Sequence, residues 1–355
     1  MTIDEQTLAR VEQLRIPLED PTAPLDWKDW YHYVLLDPDT QIRVLVNLTA
    51  IARPGTGEIQ TSFMVTVPTD FQGLDCSQSA PFASFGTTFS QEWNPSQISP
   101  EPVHWQGEGM ELQVNGTQTR LEVEDRRSQL FIELEATATA TPLLVTENSP
   151  FGSGFIGWGL VPGLQVRGNL SVAGRSFPIH PNWFCYHDRN FGRFRWGEDI
   201  GWEWFVAFGT CIDGTSITLV LDRRTNKDHS QGGFPYIFIY VNHQLRKVFL
   251  GATLQINWDW SEVAVIPPRL PGIMALLFSD RLLQTPSTLE IIAADDQDQL
   301  LIEIDFESVV ELIVPDNQQR QYTFIEELTG RAAVTLKLGE KTWLATGLVY
   351  GEYVI

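Results

Sequence analysis

From Gln41 onward, apolar and polar side chains alternate in one short run after another, and Gly, Asn, Asp or Pro separates the runs. In QIRVLVNLTAI (Gln41 to Ile51), Ile42, Val44, Val46 and Leu48 fall on one side of an extended chain. TSFMVTVP, MELQVNG, TRLEVED and QLFIELEAT repeat the pattern. Successive side chains of a strand point to opposite faces, so a period of two is the strand period. Many strands of this length, evenly punctuated, predict an all-β sandwich or barrel with antiparallel pairing. LQVRGNLSVAGRSFPI reads as two strands joined at Gly168, with Gly174 as the next turn. WEWFVAFGTCIDGTSITLVLDRR is a hairpin turned by Asp213-Gly214, and STLEIIAADDQDQLLIEIDF a hairpin with an acidic tip. The end of the chain, from Arg331, reads as one more hairpin and a closing strand. Helical spacing is confined to the first 20 residues, where Leu8, Val11, Leu14 and Ile16 share a side and Pro17 ends the pattern. Ile266 to Asp280 reads as a loop with one helical turn.

The totals narrow the function. Against 45 acidic residues stand 24 basic ones, for a net charge of -21. Nucleic acid, which selects basic surface, is excluded as a partner, and anionic membranes are disfavoured. The most apolar stretch, Leu270 to Phe278, is too short for an integral membrane segment and holds Pro271 and Gly272. The N-terminus is polar and acidic and is not read as a signal peptide. Cys76, Cys185 and Cys211 form neither a CxxC pair nor an even set, which fits a reducing, cytoplasmic location. The histidines are scattered, so no metal is expected. GSGFIG (Gly152 to Gly157) has the letters of a dinucleotide loop without the strand–helix context, and no other cofactor motif occurs; none is expected.

One segment breaks the strand pattern in a way that points to chemistry. WFCYHDRNFGRFRWGEDIGWEWF, Trp183 to Phe205, holds four Trp, four Phe and one Tyr in 23 residues, interleaved with nine ionisable or amide groups. A core strand would not bury so many charges, each costing about several kcal/mol when unpaired. A solvated loop would not carry so many aromatics. Apolar walls with a few placed polar groups make a ligand pocket. In an extended chain Tyr186, Asp188 and Asn190 point one way, and His187 and Arg189 the other. Asp188 between apolar walls is a candidate general acid towards an alkene or carbonyl, with Tyr186 in support and His187 as a second acid/base. The same letters also describe a structural salt bridge or a turn that bonds its own backbone. Trp202 and Trp204 alternate on one face, as core residues or pocket walls. Trp158, Trp183 and Trp196 can serve as either.

This segment, with its surroundings, resembles the superfamily of hydroxyneurosporene synthase (carotenoid 1,2-hydratase) and AttH-like proteins. The resemblance rests on Val166-Arg167-Gly168-Asn169-Leu170, Gly174, Trp183 to Gly192 and the Trp202-to-Arg224 strand pair. It extends to the opening strand pair Trp27 to Ile51 and to a closing segment with Glu352 in the acidic place. After the helical segment read from the spacing (1–20), it implies two packed lipocalin-like antiparallel domains, 21–205 and 206–355. It also implies a hydrophobic small-molecule substrate and no cofactor. In the hydratases a Tyr-x-Asp motif protonates an isolated C=C, so the likeness gives Asp188 the acid role and Tyr186 a supporting one. Arg189, where the family usually has His, favours an ionised Asp188. Other members close rings by pericyclic reactions such as Diels-Alder cyclisation, for which a shaped pocket suffices. Trp30, Tyr31, Trp158, Trp183, Arg189, Asn190, Trp196, Trp202 and Trp204 would then line the substrate. Hydration, isomerisation or cyclisation of a polyene, isoprenoid or polyketide-derived substrate thus stand together. A carrier that only binds such a ligand is the alternative.

Overall fold

The structure, a computed structural model, describes residues 3–17, 27–51, 57–69, 81–93, 97–316 and 321–355. Cys76 lies outside them. The chain divides into two compact units at Arg195/Trp196. That is ten residues before the expected boundary, because the strand Gly201–Cys211 belongs wholly to the second unit.

The first unit has two seven-stranded antiparallel sheets. In the first, the order is Leu143–Phe151, Gly154–Val161, Phe184–Arg193, Trp27–Leu36, Arg43–Ile51, Gly57–Pro68, Phe82–Trp93. The other runs from Arg175–Ile179 through Leu164–Val172 to Ile98–Pro100. A single apolar core draws Val44, Val46 and Leu48 from one sheet, and Leu121, Ile132 and Leu134 from the other. The two sheets differ in one respect that matters for function. Leu130–Ala138 alternates buried and half-buried residues along its whole length, the mark of a sheet with one face covered. Trp27–Leu36 is buried at every position after the first, and Phe184–Arg193 at seven of its ten positions, with Phe184, Asn190 and Arg193 half-buried. These central strands therefore bury both faces. One is the core face; the other holds the candidate site.

The N-terminal helix is shorter than its 20-residue pattern. α1 spans Glu5–Glu12, with Asp4 accepting from the Thr7 backbone amide as its cap. Leu8 and Val11 drop into the first unit's core. The turn expected at Gly168 is absent, because Gly168 lies inside Leu164–Val172. A Cβ there would meet the Glu133 carbonyl oxygen at 1.9 Å, so glycine serves close strand approach, and the turn falls at Ala173-Gly174.

The second unit is one sheet. Its order is Gln244–Leu250, Tyr236–Val241, Ser216–Thr225, Gly201–Cys211, Lys341–Val354, Gln321–Leu338, Asp298–Asp316, Pro286–Asp295, Leu254–Trp260. The end of the chain is thus one long hairpin, without a separate closing strand. Ile217, Ile237 and Ile239 from one end of the sheet share a core with Leu289, Ile291 and Ala293 from the other, so the sheet curls. A register shift at Phe306/Ser308 lets the long strand bend. The Asp213-Gly214 and Asp295-to-Asp298 turns lie where the sequence puts them, and Lys247 ties the second by 2.9 and 2.8 Å bonds to Asp295 and Asp298. The helical turn in the 266–280 loop is α2, Gly272–Leu277.

Candidate functional site

Three neighbouring strands of the first unit, Gly154–Val161, Phe184–Arg193 and Trp27–Leu36, set their even-numbered residues on the face away from the core. The register places Leu160 and His32 on either side of Asp188, and Trp158 and Trp30 on either side of Asn190. Asp188 is the hub of this face. The Tyr186 hydroxyl donates to its Oδ2 at 2.8 Å, and the Trp158 indole N–H donates to the same oxygen at 3.0 Å. The Asn190 amide donates to Oδ1 at 3.0 Å. Three donors thus converge on one carboxyl group that is 4% exposed. Such an arrangement stabilises negative charge at that position. Trp30 packs edge-on against Phe194, with ring centroids 5.9 Å apart. Leu160, Val34 and Tyr186 are fully buried beside them.

The odd-numbered residues of the same strands do different work. His187 is stacked between Tyr31 and Tyr33, with centroids 5.7 and 4.2 Å away. Its Nδ1 lies 3.0 Å from the His32 carbonyl oxygen, and its Nε2 3.2 Å from the Glu12 carboxylate. Arg189 is fully buried and pairs with Asp29. It also donates to the Glu12 carbonyl at 2.7 Å, and its guanidinium lies 3.6 Å over the Tyr31 ring. Burial opposes its charge, but Asp29, Tyr31 and Glu12 outweigh that and hold the charge firmly. The Tyr31 hydroxyl closes the set by donating to the same Glu12 carbonyl. His187, Arg189 and Tyr31 therefore fasten the end of α1 to the sheet, and the Arg189 cation faces Asp29, on the opposite side of the strand from Asp188.

Trp183 lies in the first unit's core. Trp196, Trp202 and Trp204 belong to the second unit, where Trp202 and Trp204 lie on the sheet face opposite its core. The Trp202 indole donates to Glu352 at 2.6 Å, and Trp196 packs 6.2 Å from Trp202. Glu352 in turn sits directly across from Trp204 on one side and Glu327 on the other. Burial, with Asp222 nearby, pushes Glu352 up to about 7 against the pull of the Trp202 bond. Burial and the Glu352 charge hold Glu327 well above the usual carboxylate range. On the other face, burial and Glu311 push Glu326 up to about 8, opposed by Arg281. These carboxyls keep their protons in the folded chain after the unfolded chain has lost its own near 4.5. Stability is thus fully present below that value and falls as pH rises towards 8, by up to about 1.4 kcal/mol per pH unit for each group. In denaturant titrations from pH 5 to 8.5 we expect the second unit's midpoint to fall steadily, and Glu326→Gln to flatten the fall. A midpoint that is level or rises with pH would contradict this.

His32 and Asn47 join the Asp188 face without a signal strong enough to single them out. Asn47 lies across from His32 on the next strand, its side-chain oxygen buried without a hydrogen-bond partner among the described residues. Burial, with the nearby His187, pushes His32 down to about 3, so it is neutral at physiological pH. The clue to Asn47 was a lone amide inside RVLVNLTAI. Among the described residues no group of three His, Cys, Asp or Glu side chains converges as a metal site. Burial raises both the Cys185 and Cys211 thiols, which leaves them poor nucleophiles.

The fold and this two-faced sheet define an all-β, lipocalin-like protein. No family model and no curated protein matches the sequence. Solved structures do match. An AttH-like protein of Nitrosomonas europaea is 14% identical, with 96% of each chain covered and a TM-score of 0.61. Kievitone hydratase of Nectria haematococca is 14% identical, over 95% of this chain and 94% of that one, with a TM-score of 0.54. CghA, solved with Sch210972, is 12% identical, over 97% and 94%, with a TM-score of 0.60. The chain shares their AttH-like, lipocalin-like fold along nearly its whole length.

Proposed function

We propose that the chain is a cofactor-independent enzyme acting on a hydrophobic polyene, isoprenoid or polyketide-derived molecule, with Asp188 as its proton-handling group. The convergence of Tyr186, Trp158 and Asn190 on the Asp188 carboxyl carries this reading. When protonated Asp188 gives its proton to a substrate C=C, a C–H bond forms and negative charge develops on the carboxylate. The three donors are already in place for that charge and need no reorganisation. The cation left on the substrate is taken by water, giving hydration, or by a second double bond, giving a ring. Loss of a proton restores Asp188. Trp158 and Trp30 supply flat apolar walls for a conjugated chain, while His187 and Arg189 hold the scaffold without touching substrate. A hydratase and CghA share this fold, which agrees with such chemistry.

Extraction of apolar ligand from the purified chain, identified by mass spectrometry, supplies the substrate class. Turnover of that compound in D2O then tests the step. Protonation by Asp188 places one deuterium on carbon in the product. A ring-closed product without carbon-bound deuterium would make Asp188 a hydrogen-bonding residue in a pericyclic reaction, and ligand without turnover would make the chain a carrier.

A further inference from the structure

From Val263 to Phe278 the chain reads VAVIPPRLPGIMALLF, with Arg269 its one polar side chain. Arg269 is turned inward. It donates to Glu311 at 2.5 Å and to the carbonyls of Phe278 and Arg281 at 2.7 and 2.5 Å. Met274 and Leu283 are buried beneath it. What faces outward is aliphatic: Val263, Ile266, Ile273, Leu276, Leu277 and Leu282 are each between 58% and 72% exposed. A protein of ordinary solubility exposes such residues singly, not as a continuous tip.

We propose that this tip docks the chain on an uncharged, zwitterionic lipid bilayer, with α2 and its flanks seated at the headgroup–acyl boundary. The chemistry of the tip selects that occupant. Between Val263 and Phe278 no side-chain donor or acceptor is exposed, so the centre of the tip offers a surface suited to hydrocarbon. Part of the backbone is bonded within the tip, which lowers the cost of contact with hydrocarbon: Val265 and Leu283 exchange 2.8 Å bonds, and Met274 and Phe278 bond back to Pro271 and Met274. Trp260, partly exposed at the base of the excursion, is of the type that settles at a membrane interface. Charge decides the kind of surface. Asp259, Glu262 and Asp280 are exposed around the tip, and the chain carries -21 overall. Anionic lipid is therefore repelled, and so is the acidic rim of a second copy. Docking here is independent of the chemistry at Asp188, and it brings the chain to the phase in which apolar molecules collect.

Flotation of the full chain with palmitoyl-oleoyl-phosphatidylcholine vesicles tests this. The chain is expected to float with the vesicles, to stay bound in high salt, and to bind less when phosphatidylserine is added. The doubly substituted Leu276→Asp/Leu277→Asp chain changes two exposed residues. It should unfold at the same denaturant concentration and lose roughly tenfold or more in partitioning. A chain that stays at the bottom of the gradient, or a variant that floats equally well, overturns the proposal. So does a dimer in sedimentation equilibrium that these substitutions convert to monomer, since the tip would then be a self-contact.

Discussion

Asp188→Asn is expected to abolish most turnover while sparing both fold and ligand binding. The replacement keeps shape and volume, and the surrounding donors can still be satisfied. The new amide oxygen accepts from Tyr186 and Trp158, and its NH2 donates to Asn190 once that amide turns to present its oxygen. What is lost is the transferable proton. General acid catalysis contributes about 10²–10⁴ in rate, so kcat should fall about a thousandfold, or ~4 kcal/mol of barrier, with the ligand dissociation constant changed less than about threefold. Single-turnover rates and equilibrium titration on the same preparation separate the two quantities. If kcat holds, Asp188 does not give the proton, and the pocket works by positioning. If binding collapses together with kcat, the carboxyl belongs to the ligand-holding set.

Arg189→Met should produce the largest loss of stability of any single change at this sheet. It removes the ion-pair partner of Asp29, which is fully buried and keeps, among the described residues, the 2.7 Å bond from the Arg15 amide. It also strips a donor from the carbonyls of Glu12 and Trp30. Breaking a buried pair from one side costs about 3–5 kcal/mol, because the remaining charge stays in a low dielectric. Adding Asp29→Asn to the same chain should recover at least about half of that loss, since the uncompensated charge goes with it. Urea unfolding followed by a probe in the first unit measures both. A single-variant loss below about 1 kcal/mol would mean that the pair is screened like a surface one.

The all-β class, the N-terminal helix and the Asp-Gly hairpin were legible because each depends on neighbours in sequence. So was the face shared by Tyr186, Asp188 and Asn190, since two-residue periodicity needs only an extended backbone. The rest depends on which strands pair. Trp158 reaches Asp188 across 30 positions, and His187 meets Glu12 across 175. No local pattern carries those distances. Gly168 shows the converse error: glycine signals a turn by its backbone freedom, but here it answers to the Glu133 carbonyl of the adjoining strand. Arg189 is the most instructive residue. As a letter beside Asp188 it looks like that group's counter-ion, whereas the fold gives it to Asp29 through the side of the sheet to which an odd position points.

The same parity sets the rules for anyone reshaping this chain. On Gly154–Val161, Trp27–Leu36 and Phe184–Arg193, a combinatorial library that varies only Trp158, Leu160, Trp30, His32, Val34, Tyr186 and Asn190 samples new pocket shapes on an intact scaffold. One that strays to Tyr31, His187 or Arg189 spends its diversity on chains that no longer hold α1. A single strand thus separates the positions open to selection from those closed to it, one residue apart.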